Sequence, residues 1–529
     1  MNAERRTVPA LVRRRADEQP EKPFVVTDDD VLTYGELDRE TAAAASRFAA
    51  AGVGKGTRVG VLMPKGTAWP VVALGVARAG GTVVPLSTLL RPPELAAQLH
   101  TAGVEHLVLV PTFRGRDYLA DLAVISPDLI PGPRLFVDAL PRLRSISEWD
   151  ADRPVATDDH IDREIVDARD AAIRPADDLA IIFTSGSRGR PKGVIHTHGG
   201  ALGATAAGLE VRRLGRDDRL YIPMPFFWVG GFGTGLLSAL LAGATLLTEA
   251  VPEPARTLAF LERERVTLFR GWPDQAAALA QHPRFADADF DSLRPGSLDA
   301  VLPAARRVPA AARANLLGMT ESFGPYCGDR LDQPLPAGKE GSCGRAFEGI
   351  ELRIVDVDTS TPLGPDELGE IQLRGPNLMR GICGRTRTEV FTADEFYPTG
   401  DLGRLDADGY LYLAGRRDDM FKVRGATVYP SEVERALHGI SGVRRAYVVD
   451  IVHDGSTAVA AAVIAVPERA LTVDALEREA RARLSAFKVP TRWRLVTDDE
   501  VPMAATGKVD KAGLQQLFGD ETSRERAQG

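Results

Sequence analysis

Short apolar runs alternating with alanine-rich segments of helical spacing constrain this chain more than any other feature. TRVGVLM, HLVLV, LAIIF and ATLLT are each bounded by Gly, Pro or charged residues, and stretches such as GELDRETAAAASRFAAAG lie between them. Buried strands alternating with helices specify an α/β fold, in which ligands bind beyond the carboxyl ends of the strands. From Ile350 onward the pattern changes: ELRIVDV, GEIQLRG and GYLYLAG read as strands with turns between them, an antiparallel, β-rich subdomain that closes the larger body. After the charged turn GRRDD, Gly415 to Asp419, a βαβ-like pattern begins. It is helical over SEVERALHGISGV, strand-like over AYVVDIV and TAVAAAVIAV, and helical again over ALEREARARLSAF. The expected architecture is a large N-terminal domain of α/β sheets, residues 1–415, followed by a small α+β domain, residues 416–529.

Length and charge narrow the function classes. A chain of 529 residues exceeds what one core usually serves, so unequal domains are expected. With 44% hydrophobic residues, 26% charged residues and a net charge of -8, it has neither the composition of a disordered protein nor the basic surface of a nucleic-acid binder. Cys327, Cys343 and Cys383 stand far apart with no CxxC pair, which argues against a disulfide framework and a zinc site and suits a reducing cytoplasm. The charged start MNAERRTVPALVRRRADEQP has no apolar secretory core, so a cytosolic chain is expected. Leu220 to Thr248 carries no charge and is long enough to be weighed as a membrane span. Pro223, Pro225, Gly230, Gly231, Gly233 and Gly235 break its first half, so GLLSALLAGATLL is expected to be a buried core helix and no integral membrane segment is expected.

The loop TSGSRGRPKG, Thr184 to Gly193, follows LAIIF and combines three glycines, three hydroxyl side chains, two arginines and a lysine. Glycines let backbone N-H groups turn toward one point, hydroxyls add donors and basic side chains add charge, the ingredients of a phosphate cradle. Pro191 stands where a Walker A loop needs glycine before its lysine, and a loop of this composition is equally often a plain surface turn. Other segments bear on the choice. GMTES, Gly318 to Ser322, offers the Thr320 hydroxyl beside the Glu321 carboxylate, suited to a phosphate and a Mg²⁺ ion, or else to a helix N-cap. YPTGD, Tyr397 to Asp401, presents a carboxylate on a tight turn, suited to vicinal ribose hydroxyls, or else is a simple β-turn. Arginine far outnumbers lysine, yet Lys192, Lys422 and Lys508 all fall within motif-like segments.

In this order, with GRRDDMFKVRGATVYPSEVE and PMAATGK, Pro502 to Lys508, these motifs resemble the adenylate-forming superfamily of acyl-CoA synthetases, peptide-synthetase adenylation domains and beetle luciferases. The likeness begins at LTYGELD and AGGTVVPL and runs nearly end to end, closest in kind to stand-alone acyl-CoA synthetases. It implies that Thr184, Ser185, Gly186, Ser187, Gly189 and Lys192 surround the leaving phosphates of ATP, that Thr320 meets the α-phosphate and that Glu321 holds Mg²⁺. It further implies Asp401 at the ribose with Arg416 close by, Lys508 as the catalytic lysine, and Asp418 as the hinge of a mobile C-terminal domain. In the second step Lys422, Arg424 and Gly425 would face the incoming thiol of CoA, while Phe227, Trp228 and Gly230 of PFFWVGG would line the acyl pocket.

The implied reaction is ATP-dependent ligation of a carboxylic acid to CoA through an acyl-AMP. Transfer to a carrier protein or an amine, and activation of an unusual acid such as nitrite, are the alternatives, and a non-catalytic nucleotide-binding scaffold is the rival from another class. Several positions depart from the superfamily's pattern: Arg188 in the phosphate loop, Trp228 where histidine is frequent, Leu317 before GMTE, and Ala504 before the last lysine. GSLDA, Gly296 to Ala300, stands where a Gly-Gly-Ala loop would flank adenine.

Overall fold

The computed structural model describes residues 7–149, 163–184, 191–271, 273–309, 312–419, 421–423, 426–453, 456–467, 471–484, 486–503 and 509–519. The chain packs as two compact units. The larger comprises Met1–Leu352, Leu373–Tyr397 and Gly409–Leu411, and the smaller comprises Arg353–Gln372, Pro398–Asp408 and Tyr412–Gly529.

Two mostly parallel sheets build the larger unit. Among the described residues one has seven strands, in which Arg58–Leu62 lies between Thr82–Pro85 and His106–Leu109, all parallel. Asp178–Thr184 joins this sheet in parallel beside Thr82–Pro85, and Lys192–Thr197 returns antiparallel to it. The second sheet has five described strands, with Arg219–Tyr221 between the central strand Thr245–Leu247 and the edge strand Leu268–Phe269, again parallel.

Alternation along these strands explains why both sheets are buried on two faces. Leu220, Ile222, Leu246 and Leu268 point into one large core shared with Val59, Val61, Val83, Ala180 and Ile182 of the seven-stranded sheet. Their neighbours Tyr221, Leu247 and Phe269 point the other way, against Leu258 and Leu261 of the helix Pro254–Arg263. Leu107, Leu109 and Ile181 occupy a third cluster on the far face of the seven-stranded sheet.

The helix expected in GELDRETAAAASRFAAAG spans Tyr34–Ala50, and Thr33 with Glu36 closes a capping box at its start. The uncharged run 220–248 folds as a strand, a π-helical turn Gly230–Leu237 continuing into the α-helix Ser238–Ala242, and the strand Thr245–Leu247. No helix among the described residues is long and apolar enough to cross a membrane.

Most residues of a four-stranded sheet, Glu351–Val355, Gly369–Arg374, Tyr397–Leu405 and Leu411–Arg416 in that spatial order, belong to the smaller unit. Beyond them the helix Pro430–His438 precedes an antiparallel hairpin of Val443–His453 with Ser456–Ala465. The helix Val473–Arg483 then crosses over, and Arg492–Leu495 pairs in parallel with Ser456–Ala465. The βαβ unit thus lies one strand later than the first helix suggests, because the two long strands are joined by a turn and pair with each other directly.

Candidate functional site

Thr184 closes the strand Asp178–Thr184 at its carboxyl end, and Lys192, opposite it in register, opens the returning strand. The phosphate-loop candidate is therefore the turn of a hairpin at the end of a parallel strand, where ligand sites of open α/β sheets lie. Ser185, Gly186, Ser187 and Gly189, with Arg188, fall outside the described residues.

GMTES forms a second hairpin. Leu317–Met319 pairs with Gly324–Gly328, and Thr320–Ser322 makes a single 3-10 turn between them. Thr320 is thus a turn residue rather than the N-cap of a helix. Phe323 takes the left-handed conformation, φ 54°, that lets the chain reverse into Gly324 at φ 125°. Glu321 is 6% exposed, and its Oε1 accepts a hydrogen bond from the Tyr397 hydroxyl at 3.1 Å. That bond fixes the carboxylate in one orientation and leaves it acceptor capacity.

Backbone hydrogen bonds tie the two hairpins together. Met379 N donates to Glu321 O at 2.8 Å, Arg380 N to Ile195 O at 2.8 Å, and Cys383 N to Gly193 O at 2.8 Å. The segment 379–383 therefore grips the GMTES turn at one end and the strand after the phosphate loop at the other. His196 of that strand adds a side-chain contact. Its ring lies edge-on to Phe323 at 4.8 Å, fully buried, and faces the Thr320 backbone. Burial lowers its pKa to about 3, so it is neutral and serves as packing.

The acyl-pocket segment follows the strand Arg219–Tyr221 of the five-stranded sheet. Trp69 meets Phe226 at 5.4 Å and Phe232 at 5.3 Å, and Phe232 meets Phe323 at 5.9 Å, so a continuous chain of rings joins this segment to the GMTES turn. Phe227 is buried and packs edge-on against Trp228 at 5.2 Å, while Trp228 and Gly230 keep accessible surface. A Cβ on Gly231 would lie 2.0 Å from Pro225 O, so only glycine lets the π-helical turn start so close to the preceding backbone.

Beneath this segment Lys65, 6% exposed, donates to Pro223 O. Burial lowers its pKa to about 7, opposed by the Glu249 carboxylate. Glu249 itself accepts from Tyr221 Oη and Thr257 Oγ1, both at 2.8 Å, and burial raises its pKa.

In the smaller unit Asp401 lies within the strand Tyr397–Leu405 rather than on a tight turn. Gly400 at φ 72° kinks that strand, and Asp401 N donates to Thr399 Oγ1 at 3.0 Å. Arg416 Nη1 donates to Asp401 Oδ1 at 2.9 Å and to Thr399 O at 3.0 Å. The pair expected from the sequence is therefore a direct ion pair, with Asp401 largely shielded and Arg416 substantially exposed.

The backbone of Asp418 belongs to the 3-10 turn Arg417–Asp419, and that of Lys422 to the strand Phe421–Val423. Their side chains, together with Arg424, Gly425 and Lys508, lie outside the described residues. Sequence reasoning missed Tyr397 as the partner of Glu321 and missed Met379 and Lys65. Lys65 shared a signal with the lysines that were singled out, being one of few in an arginine-rich chain.

Comparison with known proteins agrees with this architecture. Residues 12–383 match the AMP-binding enzyme family and residues 432–508 the AMP-binding enzyme C-terminal domain. An (octahydro-methyl-dioxo-indenyl)propanoyl:CoA ligase of Mycobacterium tuberculosis is 33% identical over 97% of this chain and 99% of its own. A feruloyl-CoA synthase of an Amycolatopsis species is 32% identical over 96% of this chain and 98% of its own. The crystal structure of the anthranilate CoA ligase AuaEII in complex with anthranoyl-AMP shares the fold, with a TM-score of 0.79 at 23% identity, covering 98% of each chain.

Proposed function

This chain belongs to the AMP-binding enzyme family, and we propose that it acts there as an ATP-dependent acid:CoA ligase, activating a carboxylic acid as its acyl-AMP with release of pyrophosphate. CoA then takes the acyl group. The observation that carries the reading is the tie between the two hairpins: the Thr184/Lys192 pair and the Thr320/Glu321 turn are held in one body by the segment 379–383.

The chemistry asks for such an arrangement. A carboxylate is a poor acyl donor until its oxygen is joined to AMP. It attacks the α-phosphorus in line with departing pyrophosphate, so two anions must be held together while charge shifts on the phosphoryl oxygens. In this reading the loop 184–192 cradles the leaving phosphates and Thr320 donates to the α-phosphate. Asp401, oriented by Arg416, accepts the ribose hydroxyls. Glu321 would hold Mg²⁺, which neutralises phosphate charge. The described residues contain no cluster of three or more His, Cys, Asp or Glu, and one carboxylate fits an ion that takes its other ligands from phosphate and water. Lys508 supplies the cation that stabilises the transition state.

The second step needs different neighbours, since pyrophosphate must leave before a thiol reaches the acyl carbon. We assign residues 1–415 to adenylation and residues 416–529 to a domain that turns about Asp418, withdrawing Lys508 and presenting Lys422, Arg424 and Gly425 to CoA. A two-step assay tests this. Lys508→Ala should lose about 10²- to 10³-fold in acid-dependent pyrophosphate release and retain transfer from supplied acyl-AMP to CoA. Near-normal pyrophosphate release would overturn the role of Lys508. AMP formation that needs a carrier thiol, an amine or nitrite in place of acid and CoA would replace the ligase reading, and intact ATP binding with no turnover would favour a scaffold.

A further inference from the structure

Arg270 follows the strand Leu268–Phe269 at the carboxyl end of the five-stranded sheet. Alternation returns it to the face of Leu268, toward the shared core, and there its Nη2 donates to the carbonyl of Arg212 at 2.9 Å. Around it stand three more guanidinium groups, those of Arg212, Arg294 and Arg313.

The carboxylates of this neighbourhood are already engaged. Asp218 takes Arg294 at 2.7 Å, Asp299 takes Arg313, and Asp332 pairs with Arg330 at 2.7 Å. Arg212 directs its N-H groups to the carbonyls of Gly208, Thr205 and Thr234 and so closes the last turn of the helix His198–Arg212. Arg270 has the Arg212 carbonyl alone among the described residues, and its Nε is buried with no partner.

A guanidinium stays charged, so Arg270 beside Arg212, with no carboxylate in direct contact among the described residues, carries an electrostatic cost that Asp332 only partly offsets. Burial, followed by repulsion from Arg212, Arg294 and Arg313 and opposed by the Asp332 carboxylate, pushes the pKa of Arg270 down to about 9. Yet the residue keeps accessible surface. A desolvated guanidinium that keeps some accessible surface forms part of the wall between the interior and solvent.

That wall borders the segment assigned above to the acid. Arg212 Nη1 reaches Thr234 O at 3.4 Å, and Thr234 shares partial accessibility with Gly230 on the π-helical turn, while Gly231, Phe232 and Gly233 between them are buried. On the other side a Cβ at Gly271 would stand 3.0 Å from Pro223 Cγ, at the head of PMPFFWVGG. The phosphates of ATP have their own place in this reading, at the hairpin turn of the seven-stranded sheet.

We propose that Arg270, with Arg212 beside it, receives a second carboxylate at the far end of the acid, so that the enzyme's substrates are dicarboxylic acids. The inference rests on the acid:CoA ligase reading and adds the substrate class. The distal carboxylate pairs with the accessible part of the guanidinium and offsets its excess charge, which a methyl end of equal length leaves in place.

The test uses matched acids of four to ten carbons ending in carboxylate, methyl ester or methyl. Acid-dependent pyrophosphate release and CoA thioester are measured for the wild type, Arg270→Met and Arg270→Lys. The wild type should prefer the diacid over the methyl-ended acid of the same length by about 10- to 100-fold in kcat/KM. Arg270→Met should bring that ratio to within about threefold of unity, chiefly through the KM of the diacid, and Arg270→Lys should restore part of it. A wild type that prefers methyl-ended acids, or an Arg270→Met variant that slows all acids alike, overturns the proposal and leaves the ligase reading standing. Absence of thioester with every acid, ATP being bound, removes both.

Discussion

Two buried arginines in the larger unit make opposite uses of the same group. Arg78 is 0% exposed and fully partnered. Its Nη2 lies 2.9 Å from Asp170 Oδ2, and its Nη1 lies 2.7 Å from Asp38 Oδ1 and 3.0 Å from Thr41 Oγ1. Asp170 in turn takes Arg13 Nε at 2.8 Å. One guanidinium thereby joins four helices, Val8–Glu18, Tyr34–Ala50, Ala68–Ala79 and Arg163–Ala172. Arg270 has one carbonyl and, among the described residues, no ion pair, with Asp332 only partly offsetting its charge. A buried charge whose partners all come from the fold is a joint, whereas one that the fold leaves unpaired is placed for something that arrives from outside.

The largest expected effect tests the joint. Arg78→Met removes the guanidinium from the buried Asp170 and the partly shielded Asp38 and should destabilise the protein by about 3–5 kcal/mol, read from chemical denaturation, with kinetic constants per folded molecule unchanged. A loss under about 1 kcal/mol would erase the contrast with Arg270.

In the proposed function Glu321 belongs with Arg270 on the ligand-facing side. Glu321→Gln still accepts from Tyr397, so the denaturation midpoint should hold while acid-dependent pyrophosphate release falls about 10²- to 10³-fold. A fall in stability with little change in rate would move Glu321 to the structural side.

Lys65 lies between the two kinds, with one carbonyl acceptor and Glu249 as the charged group facing it. Burial lowers its folded pKa to about 7 from an ordinary 10.5, so between these values the unfolded chain holds a proton that the folded one has released. The penalty is fully present below pH 7, and stability relative to Lys65→Met should rise with pH, by about 1 kcal/mol from pH 7 to pH 8. Denaturation curves for the two proteins that shift in parallel across that range would show that the lysine keeps its ordinary pKa.

Much of this was legible beforehand where the signal is local. The helix in GELDRETAAAASRFAAAG, the buried strand in LAIIF and the helix in SEVERALH depend on neighbours a few residues apart, and the structure has all three. YPTGD misled because Thr, Gly and Asp form turns in isolation, yet pairing within the four-stranded sheet holds them extended around a kinked Gly400. GMTES similarly suggested a helix start and is a hairpin turn, since the strand Gly324–Gly328 pairs back on Leu317–Met319.

The order of motifs along the chain was enough to place this protein in its family and to imply an acyl-AMP, because phosphate binding and adenylation call for residue types at short, recognisable spacings. Which acid fits was never written in any one stretch. Arg270 lies 58 residues from its carbonyl partner Arg212, and Glu321 lies 76 from Tyr397. Whether a charge is satisfied depends on which distant groups the packed sheets and helices bring within about 3 Å of it, and folding alone decides that.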